Sequence, residues 1–232
     1  MQHHYIVVLT GAGISAESGL GTFRDVDGIW SQHRLEDVAT PEGFERNPTL
    51  VHEFYNARRK QAAHANPNAA HIALARLQAD YPGTVVIVTQ NVDDLHEKAG
   101  ASAIHMHGEL KFALCHECGH RWESPATMHP GERCPNCEQP AGRPDVVWFG
   151  EIPYHMDAIM QHLRASTLFA AIGTSGEVYP AANFVDDVRK VGAHTVEINL
   201  AATDGLSRFA EQRLGAASQI VPVWVNDLLA ES

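Results

Sequence analysis

Four short runs of apolar and β-branched residues constrain the fold of this chain more than any other feature. Each run ends at a turn rich in Gly, Asn or Thr, and the four are Tyr5–Thr10, Thr84–Thr89, Leu168–Ile172 and residues 195–199. Runs of this length without polar alternation are typical of parallel strands that are buried on both faces. Residues 154–166 and 180–191 between them have the composition of helices. The alternation predicts an α/β fold with a doubly wound parallel sheet.

Two segments interrupt this alternation. Residues 31–80 contain two helix start signals, Asn47-Pro48 and Asn66-Pro67, in which Asn would cap a helix and Pro would occupy its first turn. Residues 110–146 are polar and contain every cysteine. We therefore expect a large domain made of residues 1–30, 81–109 and 147–232, and a small domain made of a helical module, 31–80, and the cysteine segment, 110–146. At the C-terminus, residues 219–223 predict a last strand and residues 224–230 a short helix.

The cysteines form two Cys-x-x-Cys pairs, Cys115/Cys118 and Cys134/Cys137, separated by fifteen residues. This spacing is typical of two knuckles that close one tetrahedral zinc site. Because all four ligands would be thiolates, the zinc should be structural, and its binding would supply the folding energy of the segment. Two disulfides in a secreted protein are the alternative. No signal peptide or membrane-spanning apolar run is evident, so we expect a reducing cytoplasm and no membrane partner.

The net charge of the chain indicates which classes of macromolecule it could bind. Seventeen basic and twenty-eight acidic residues give a net charge of -11, which is the wrong sign for binding a phosphate backbone. We therefore expect no nucleic-acid partner, and basic protein segments suit this chain better.

A glycine-rich loop follows the first predicted strand. Gly11-Ala12-Gly13-Ile14-Ser15-Ala16 fits the G-x-G-x-x-A pattern, in which glycines allow backbone amides to approach a pyrophosphate at the start of a helix. The alternative is a plain strand-to-helix turn. The next residues do not lead to a second strand that ends in a ribose-binding acid, so a hydride-transfer dehydrogenase is disfavoured. Instead, Phe23 and Arg24 could fold over a bound cofactor.

Several motifs occur in an order and spacing that resemble the sirtuins, which are NAD-dependent protein-lysine deacylases. They are Gly11 to Gly19 (GAGISAESG), Thr89 to His96 (TQNVDDLH), His107-Gly108-Glu109 and the paired Cys-x-x-Cys. The match runs from Tyr5 to about Val223. The resemblance implies a Rossmann-type large domain, a small domain with a zinc ribbon, and a cleft between them for NAD and acyl-lysine. It also implies the products nicotinamide, free lysine and O-acyl-ADP-ribose.

The resemblance assigns a role to each motif around NAD. The glycine loop would hold the phosphates, a loop at residues 22–24 would cover the nicotinamide ribose, and Asp93 with the Ile14 backbone would bind the nicotinamide amide. Asn91 would order the ribose and assist catalysis, and residues after the later strands would contact the adenosine half. The cofactor-binding residues are Gly11, Ala12, Gly13, Ile14, Ala16, Thr22, Phe23, Arg24, Gln90, Asn91, Asp93, Gly173, Thr174, Ser175, Asn199, Leu200 and Ala217.

His107 is the predicted catalytic base. In sirtuin chemistry the acyl oxygen attacks the ribose carbon, and the resulting intermediate breaks down after a ribose hydroxyl is deprotonated. An imidazole titrates in the range that this step needs. His105 would point the same way in an extended segment, so sequence geometry does not choose between the two histidines. For one histidine among fifteen, a surface or packing role is the ordinary expectation.

The resemblance also predicts how acyl-lysine is bound. Residues 147–151 and 176–179 resemble two segments that hold an extended peptide as an added strand, with Val147, Phe149 and Val178 lining the acyl-lysine tunnel. The alternative is that these are core residues. Tyr55 and Arg58 share a helix face and resemble the signature of the sirtuin subgroup that removes succinyl, malonyl or glutaryl groups. The alternative here is a packed Tyr55 beside a solvated Arg58. We expect activity on both acetyl and acidic acyl groups.

Two other activities fit the same motifs. Cleavage of the same bond in NAD could serve protein ADP-ribosylation. A non-catalytic sensor of NAD or ADP-ribose would bind the nucleotide without turnover.

Overall fold

A six-stranded parallel sheet forms the centre of the molecule, for which a computed structural model describes residues 3–21, 33–201 and 208–232. The strand order is β3-β2-β1-β7-β8-β9, and every neighbouring pair is parallel. The strands of this sheet are β1 (Tyr5–Thr10), β2 (Thr84–Thr89), β3 (Ala103–His105), β7 (Leu168–Ile172), β8 (His194–Asn199) and β9 (Glu211–Leu214). The predicted doubly wound sheet is therefore confirmed, and its strand order reverses direction on either side of β1.

A second sheet of three antiparallel strands carries the cysteine segment. Its order is β5-β4-β6, with β4 (Gly108–Cys115), β5 (Arg121–Glu123) and β6 (Gly142–Val146). Strand β4 begins directly after the His107 position, so the second sheet starts at the edge of the large one.

Nine helices surround the sheets in the described ranges. They are α1 (Ala12–Ala16), α2 (Leu35–Val38), α3 (Pro41–Arg46), α4 (Pro48–His64), α5 (Ala69–Asp80), α6 (Leu95–Lys98), α7 (Met156–Ala165), α8 (Phe184–Lys190) and α9 (Ala217–Ala230). A 3₁₀ turn, Ala181–Asn183, leads into α8. No helix among the described residues is both long enough and apolar enough to cross a membrane.

The side chains of β1 show why the sheet is covered on both faces. Ile6 and Val8 pack into one apolar cluster with α5 and α9, whereas Val7 and Leu9 pack into another with α7 and α8. All four side chains are buried, because successive residues of a strand point to opposite faces. A third cluster joins α4 to the residues that follow β6.

The helix start signals were correct for one helix and displaced for the other. The Asn47 side chain accepts a hydrogen bond of 3.1 Å from the Leu50 N–H and caps α4, as predicted. The cap of α5 is Asn68 rather than Asn66, since the Asn68 side chain accepts from the Ala70 N–H at 2.9 Å. The predicted start at Asn66-Pro67 was therefore two residues early.

The predicted last strand, residues 219–223, is wrong because this segment belongs to α9. Val221, Trp224, Val225 and Leu228 are buried at helical spacing and pack in the cluster that contains α5. Pro222 lies inside the helix, where it removes one backbone hydrogen bond. The stabilisation from burying these four apolar side chains outweighs the loss of that one backbone hydrogen bond.

The packing of α5 bears on the division into domains. Ala70, Leu74 and Leu77 of this helix are fully buried in the cluster that also holds Ile6 and Val8 of the central sheet. The division into two domains stays a prediction. We propose that the helical module ends near residue 64, so that α5 is part of the large domain.

Candidate active site

A cleft of about 1420 Å³ is lined by residues that follow the carboxyl ends of β1, β2, β7 and β8. Residues of α4 and the segment after β6 complete its walls. Nucleotides bind at this end of doubly wound sheets, beside the strand at which the strand order reverses. The volume exceeds the roughly 300–1000 Å³ of a site for one small molecule, so the cleft has room for more than one ligand group.

With one exception, every predicted cofactor or substrate residue that the structure describes lines this cleft. The exception is Ile14. Thr22, Phe23 and Arg24 lie outside the described residues. The residues that the cleft brings together are Gly11, Ala12, Gly13, Ala16, Tyr55, Arg58, Gln90, Asn91, Asp93, His107, Val147, Phe149, Gly173, Thr174, Ser175, Val178, Asn199, Leu200 and Ala217.

The glycine loop packs directly against the loop that follows β7. The Gly13 N–H donates to the Gly173 carbonyl at 2.8 Å, and a Cβ on Gly13 would lie 2.8 Å from the Gly173 Cα. A Cβ on Gly11 would lie 2.8 Å from the Gly173 carbonyl oxygen. Glycine is therefore required at both positions by backbone packing, and this contact fixes the loop along the cleft floor.

Ile14 occupies a different environment from the other loop residues. Its side chain is fully buried in the core cluster. Its N–H donates to the Gly11 carbonyl at 3.1 Å, and its carbonyl accepts from the Asn68 side chain at 2.8 Å. Contact between this backbone and a nicotinamide stays a prediction, and it would compete with these two bonds.

Asn91 is held in place from three directions. Its side-chain amide donates to the Gly11 carbonyl at 3.1 Å and to the Ser15 hydroxyl at 3.0 Å, while its N–H donates to the Thr89 hydroxyl at 3.0 Å. The residue is 7% exposed and lines the cleft. These three hydrogen bonds hold Asn91 rigidly, and its amide oxygen is left to accept a hydrogen bond.

Two buried histidines behind Asn91 were missed by the sequence analysis. The His96 Nε2 lies 3.0 Å from the Thr10 hydroxyl, and the His71 Nε2 lies 3.5 Å from the Ser15 hydroxyl. Burial lowers the pKa of His71 to about 4 and that of His96 to about 3, so both rings are neutral at neutral pH. His71 lies in an alanine-rich stretch of α5, and His96 ends the TQNVDDLH motif, but neither pattern indicates that the ring packs behind Asn91.

Asp93 and Gln90 complete the wall after β2. Burial raises the pKa of the Asp93 carboxyl, against the opposing effect of the hydrogen bond that it accepts from the Leu95 N–H. The Gln90 side-chain amide donates to the Thr174 hydroxyl at 2.9 Å and so ties this wall to the loop after β7. Both residues offer polar atoms to a ligand in the cleft.

The structure distinguishes His105 from His107. The His105 ring lies 3.0 Å from the Asn91 carbonyl at Nδ1 and 3.1 Å from the Glu97 carboxylate at Nε2. Both acceptors require a proton, so this ring is a cation whose nitrogens are already used. Burial opposes the charge, but the bond to Glu97 prevails and raises the pKa of His105. His105 does not line the cleft.

His107 has the properties of a base. Its Nδ1 lies 3.1 Å from the Gln90 carbonyl, to which it must donate, so Nε2 carries the lone pair in the neutral ring. Nε2 has no hydrogen-bond partner among the residues that the structure describes. Burial lowers the pKa of His107, and the Gln90 bond opposes this shift. The ring is therefore neutral at neutral pH and can accept a proton within the cleft.

Tyr55 and Arg58 of α4 share a helix face, as their spacing predicts, and both line the cleft. Tyr55 is 1% exposed, and the Arg58 Cζ lies 5.9 Å from the centre of the Tyr55 ring. Burial lowers the pKa of the Arg58 guanidinium, and Tyr55 and Asp93 oppose this shift. Arg59, by contrast, does not line the cleft and donates to the Leu110 carbonyl at 2.8 Å. Of these two neighbouring arginines, Arg58 can therefore contact a ligand in the cleft, whereas Arg59 bonds the protein backbone.

The four cysteines converge on one point. The Sγ atoms of Cys115 and Cys137 lie 3.6 Å apart, those of Cys118 and Cys134 lie 3.7 Å apart, and all four fall within 4.8 Å of one another. A tetrahedral zinc with Zn–S bonds of about 2.3 Å has ligand atoms about 3.8 Å apart, which matches these distances. Ala141 joins the two buried cysteines in a small apolar cluster, against which Trp122 and Cys137 pack. The predicted four-cysteine site is confirmed, and it could hold a zinc ion.

The doubly wound parallel sheet, the cleft at the carboxyl ends of its strands and the four-cysteine cluster are together typical of α/β nucleotide-binding folds that carry an added metal-binding module. Residues 11–180 match the Sir2 family. An NAD-dependent protein deacylase of Caulobacter vibrioides is 54% identical over 230 residues, covering 97% of this chain and 97% of the relative. One of Vibrio vulnificus is 55% identical over 229 residues, covering 97% and 94%. A crystal structure of a Sir2 homologue in complex with NAD has a TM-score of 0.90 at 37% identity, covering 99% of this chain and 91% of the other. The chain belongs to the Sir2 family, and the resemblance to sirtuins is confirmed.

Proposed function

We propose that this protein is an NAD-dependent protein-lysine deacylase that removes acetyl groups and acidic acyl groups such as succinyl and malonyl. The products would be nicotinamide, O-acyl-ADP-ribose and free lysine. The relatives named above are called NAD-dependent protein deacylases, which supports the reaction class. The observation that carries the proposal is that one cleft is lined by the base His107, by the rigidly held Asn91 and by the pair Tyr55 and Arg58.

NAD fits the chemistry of the cleft. The walls offer amide, hydroxyl and carboxyl groups from Gln90, Asn91, Asp93, Thr174 and Ser175, which suit a ligand with ribose hydroxyls, phosphates and an amide. When bound, NAD would supply an electrophilic ribose carbon and nicotinamide as its leaving group.

The residues of the chain would hold the reactants and move a proton. Asn91, fixed by Gly11 and Ser15, would orient the ribose end of the cosubstrate. The lone pair on the His107 Nε2 would accept a proton from a hydroxyl that becomes a nucleophile. The hydrogen bond from Nδ1 to the Gln90 carbonyl keeps the ring in the required tautomer.

The substrate peptide would lie in the cleft mouth as an added strand. Phe149 is 45% exposed and Tyr179 is 69% exposed, and both line the cleft in the two segments that resemble peptide-holding segments of sirtuins. Such binding uses backbone hydrogen bonds and reads few side chains. The net charge of -11 would favour basic sequences around the acyl-lysine. A reducing cytoplasm, which keeps four cysteines as zinc ligands, is the proposed location.

The acidic acyl preference would depend on Tyr55 and Arg58. A guanidinium can bind a carboxylate through two charge-assisted hydrogen bonds, and a phenol hydroxyl can add a third. Both groups face the same cleft as His107. An acetyl group has no carboxylate, so it would gain nothing from this pair.

The test is turnover of acetyl-, succinyl- and malonyl-lysine peptides with NAD by the parent, Arg58→Met and Lys60→Met. Loss of hydrogen bonds to a charged group costs about 1.5–3 kcal/mol, so the ratio of succinyl to acetyl kcat/KM should fall by about 10- to 150-fold in Arg58→Met. Lys60, two residues further on the same helix, is exposed and serves as the matched control. An unchanged ratio in Arg58→Met would remove the carboxylate-binding role.

A further inference from the structure

We propose that Trp148 sets the direction of the Tyr55 hydroxyl, and that an ion pair between Arg143 and Glu151 holds Trp148 in place for this task. Trp148 is then a positioning residue for recognition of acidic acyl groups. This inference rests on the proposed function.

The first step concerns the hydrogen bond between the two aromatic side chains. The Trp148 Nε1 lies 3.0 Å from the Tyr55 hydroxyl oxygen, and the two residues are 3% and 1% exposed. An indole N–H can only donate, so the Tyr55 oxygen must accept this bond. The polarity of the contact is therefore fixed by chemistry.

The second step concerns the proton of Tyr55. Among the described residues, the Tyr55 hydroxyl makes no hydrogen bond other than the one that its oxygen accepts from Trp148. Burial raises the pKa of the phenol, so the hydroxyl keeps its proton at neutral pH. Because Tyr55 lines the cleft, this proton is available to an acceptor on a ligand. A carboxylate offers only acceptor atoms and is the matching group.

The third step concerns what holds Trp148. The Arg143 Cζ lies 3.4 Å from the centre of the Trp148 ring, and its two terminal nitrogens bond the Glu151 carboxylate at 2.5 and 2.9 Å. The same carboxylate accepts from the Trp148 N–H at 2.7 Å. The ion pair thus fixes both the ring and the backbone of Trp148, in a geometry that a planar guanidinium suits.

A purely structural role for Trp148 makes a different prediction. Trp148 belongs to the apolar cluster of α4, and its ring centre lies 5.2 Å from that of Phe44. If packing were its whole contribution, its loss would lower folding stability and would affect all acyl substrates alike. A role through the Tyr55 proton would instead be specific to acidic acyl groups.

A double-mutant cycle separates these roles. We would measure kcat and KM for acetyl- and succinyl-lysine peptides at saturating NAD for the parent, Tyr55→Phe, Trp148→Phe and the double variant, with thermal unfolding to establish that each is folded. Losing one hydrogen bond should raise the succinyl KM relative to the acetyl KM by about 3- to 10-fold in Trp148→Phe. In the Tyr55→Phe background the same replacement should leave that ratio unchanged, because the hydroxyl is already absent.

Glu151→Gln is the second variant, which retains Trp148 but weakens its support, and it should shift the KM ratio in the same direction. Equal effects on both peptides, or additive effects in the double variant, would overturn the inference. If Tyr55→Phe is selective and Trp148→Phe is not, the inference falls and the proposed function stands. If Tyr55→Phe is not selective, the carboxylate-binding role of Tyr55 falls and takes the inference with it, whereas deacylation itself is untouched. If the parent turns over neither peptide, the proposed function falls as a whole.

Discussion

Replacing His105 with Gln should destabilise the protein in a way that depends on pH. His105 is 7% exposed and its partner Glu97 is 31% exposed, with 3.1 Å between the His105 Nε2 and the Glu97 carboxylate. A hydrogen bond to a charged group contributes about 1.5–3 kcal/mol. For a chain of this size each kcal/mol corresponds to about 2–4 °C, so Tm should fall by about 3–12 °C.

The direction of the pH dependence follows from the two pKa shifts. Burial disfavours the His105 cation, but the bond to Glu97 raises its pKa above the ordinary 6.5, so its contribution is complete below 6.5 and is lost as pH rises through the folded pKa. Burial likewise opposes the charge of Glu97, but the bond to His105 lowers its pKa below the ordinary 4.5, so its contribution is present above 4.5 and is lost as pH falls through the folded pKa. Between 4.5 and 6.5 both are present. Glu109, 4.0 Å from the His105 Nε2, supports the same charge.

The assay is thermal unfolding followed by circular dichroism for the parent, His105→Gln, Glu97→Gln and the double variant, at about pH 6 and about pH 9. The coupling between the two changes should be larger at the lower pH and smaller at the higher pH, because the contribution of the His105 cation is lost as pH rises through its raised pKa. A coupling of equal size at both pH values, or none at the lower one, would refute the assignment of a charged His105.

Two further predictions concern the cysteine site and the glycine contact. Elemental analysis should find one zinc per chain, and Cys118→Ser should lower both the zinc content and the Tm; metal-free, unoxidised parent protein would contradict the site. Gly173→Ala should lower the free energy of unfolding by more than the roughly 1 kcal/mol of a positive φ alone, because its Cβ would lie 2.4 Å from the Ile14 nitrogen. Gly176→Ala, with a similar φ of 68° and open space around it, is the control, and equal losses would contradict the packing argument.

The sequence predicted four of the six central strands because these four are largely buried on both faces. The four runs of apolar residues correspond to β1, β2, β7 and β8. It missed β9, since Glu211–Leu214 alternates between partly buried and exposed residues at the sheet edge and contains three polar residues. It assigned residues 219–223 to a strand because a short apolar run looks alike in a strand and in a buried helix.

The residues of the candidate site that belong to sequence motifs could be predicted, whereas those brought together only by three-dimensional packing could not. The paired cysteines and the glycine loop are local sequence patterns, so their spacing was enough to predict the zinc site and the loop that lines the cleft. The choice between His105 and His107 depends on Glu97, whose distance from His105 no sequence pattern gives. The supports behind Asn91, including His71 and His96, are likewise brought together only by the fold.

The central claim is that His107 acts as a base beside NAD and acyl-lysine in one cleft, and release of nicotinamide in the presence and absence of an acyl-lysine peptide tests it most directly. The parent should release nicotinamide only with the peptide. Because the base acts after nicotinamide has left, His107→Tyr should block completion of each turnover and lower the steady-state rate of release by about 10²- to 10⁴-fold. Peptide-independent release by the parent, or full peptide-dependent turnover in His107→Tyr, would contradict the account.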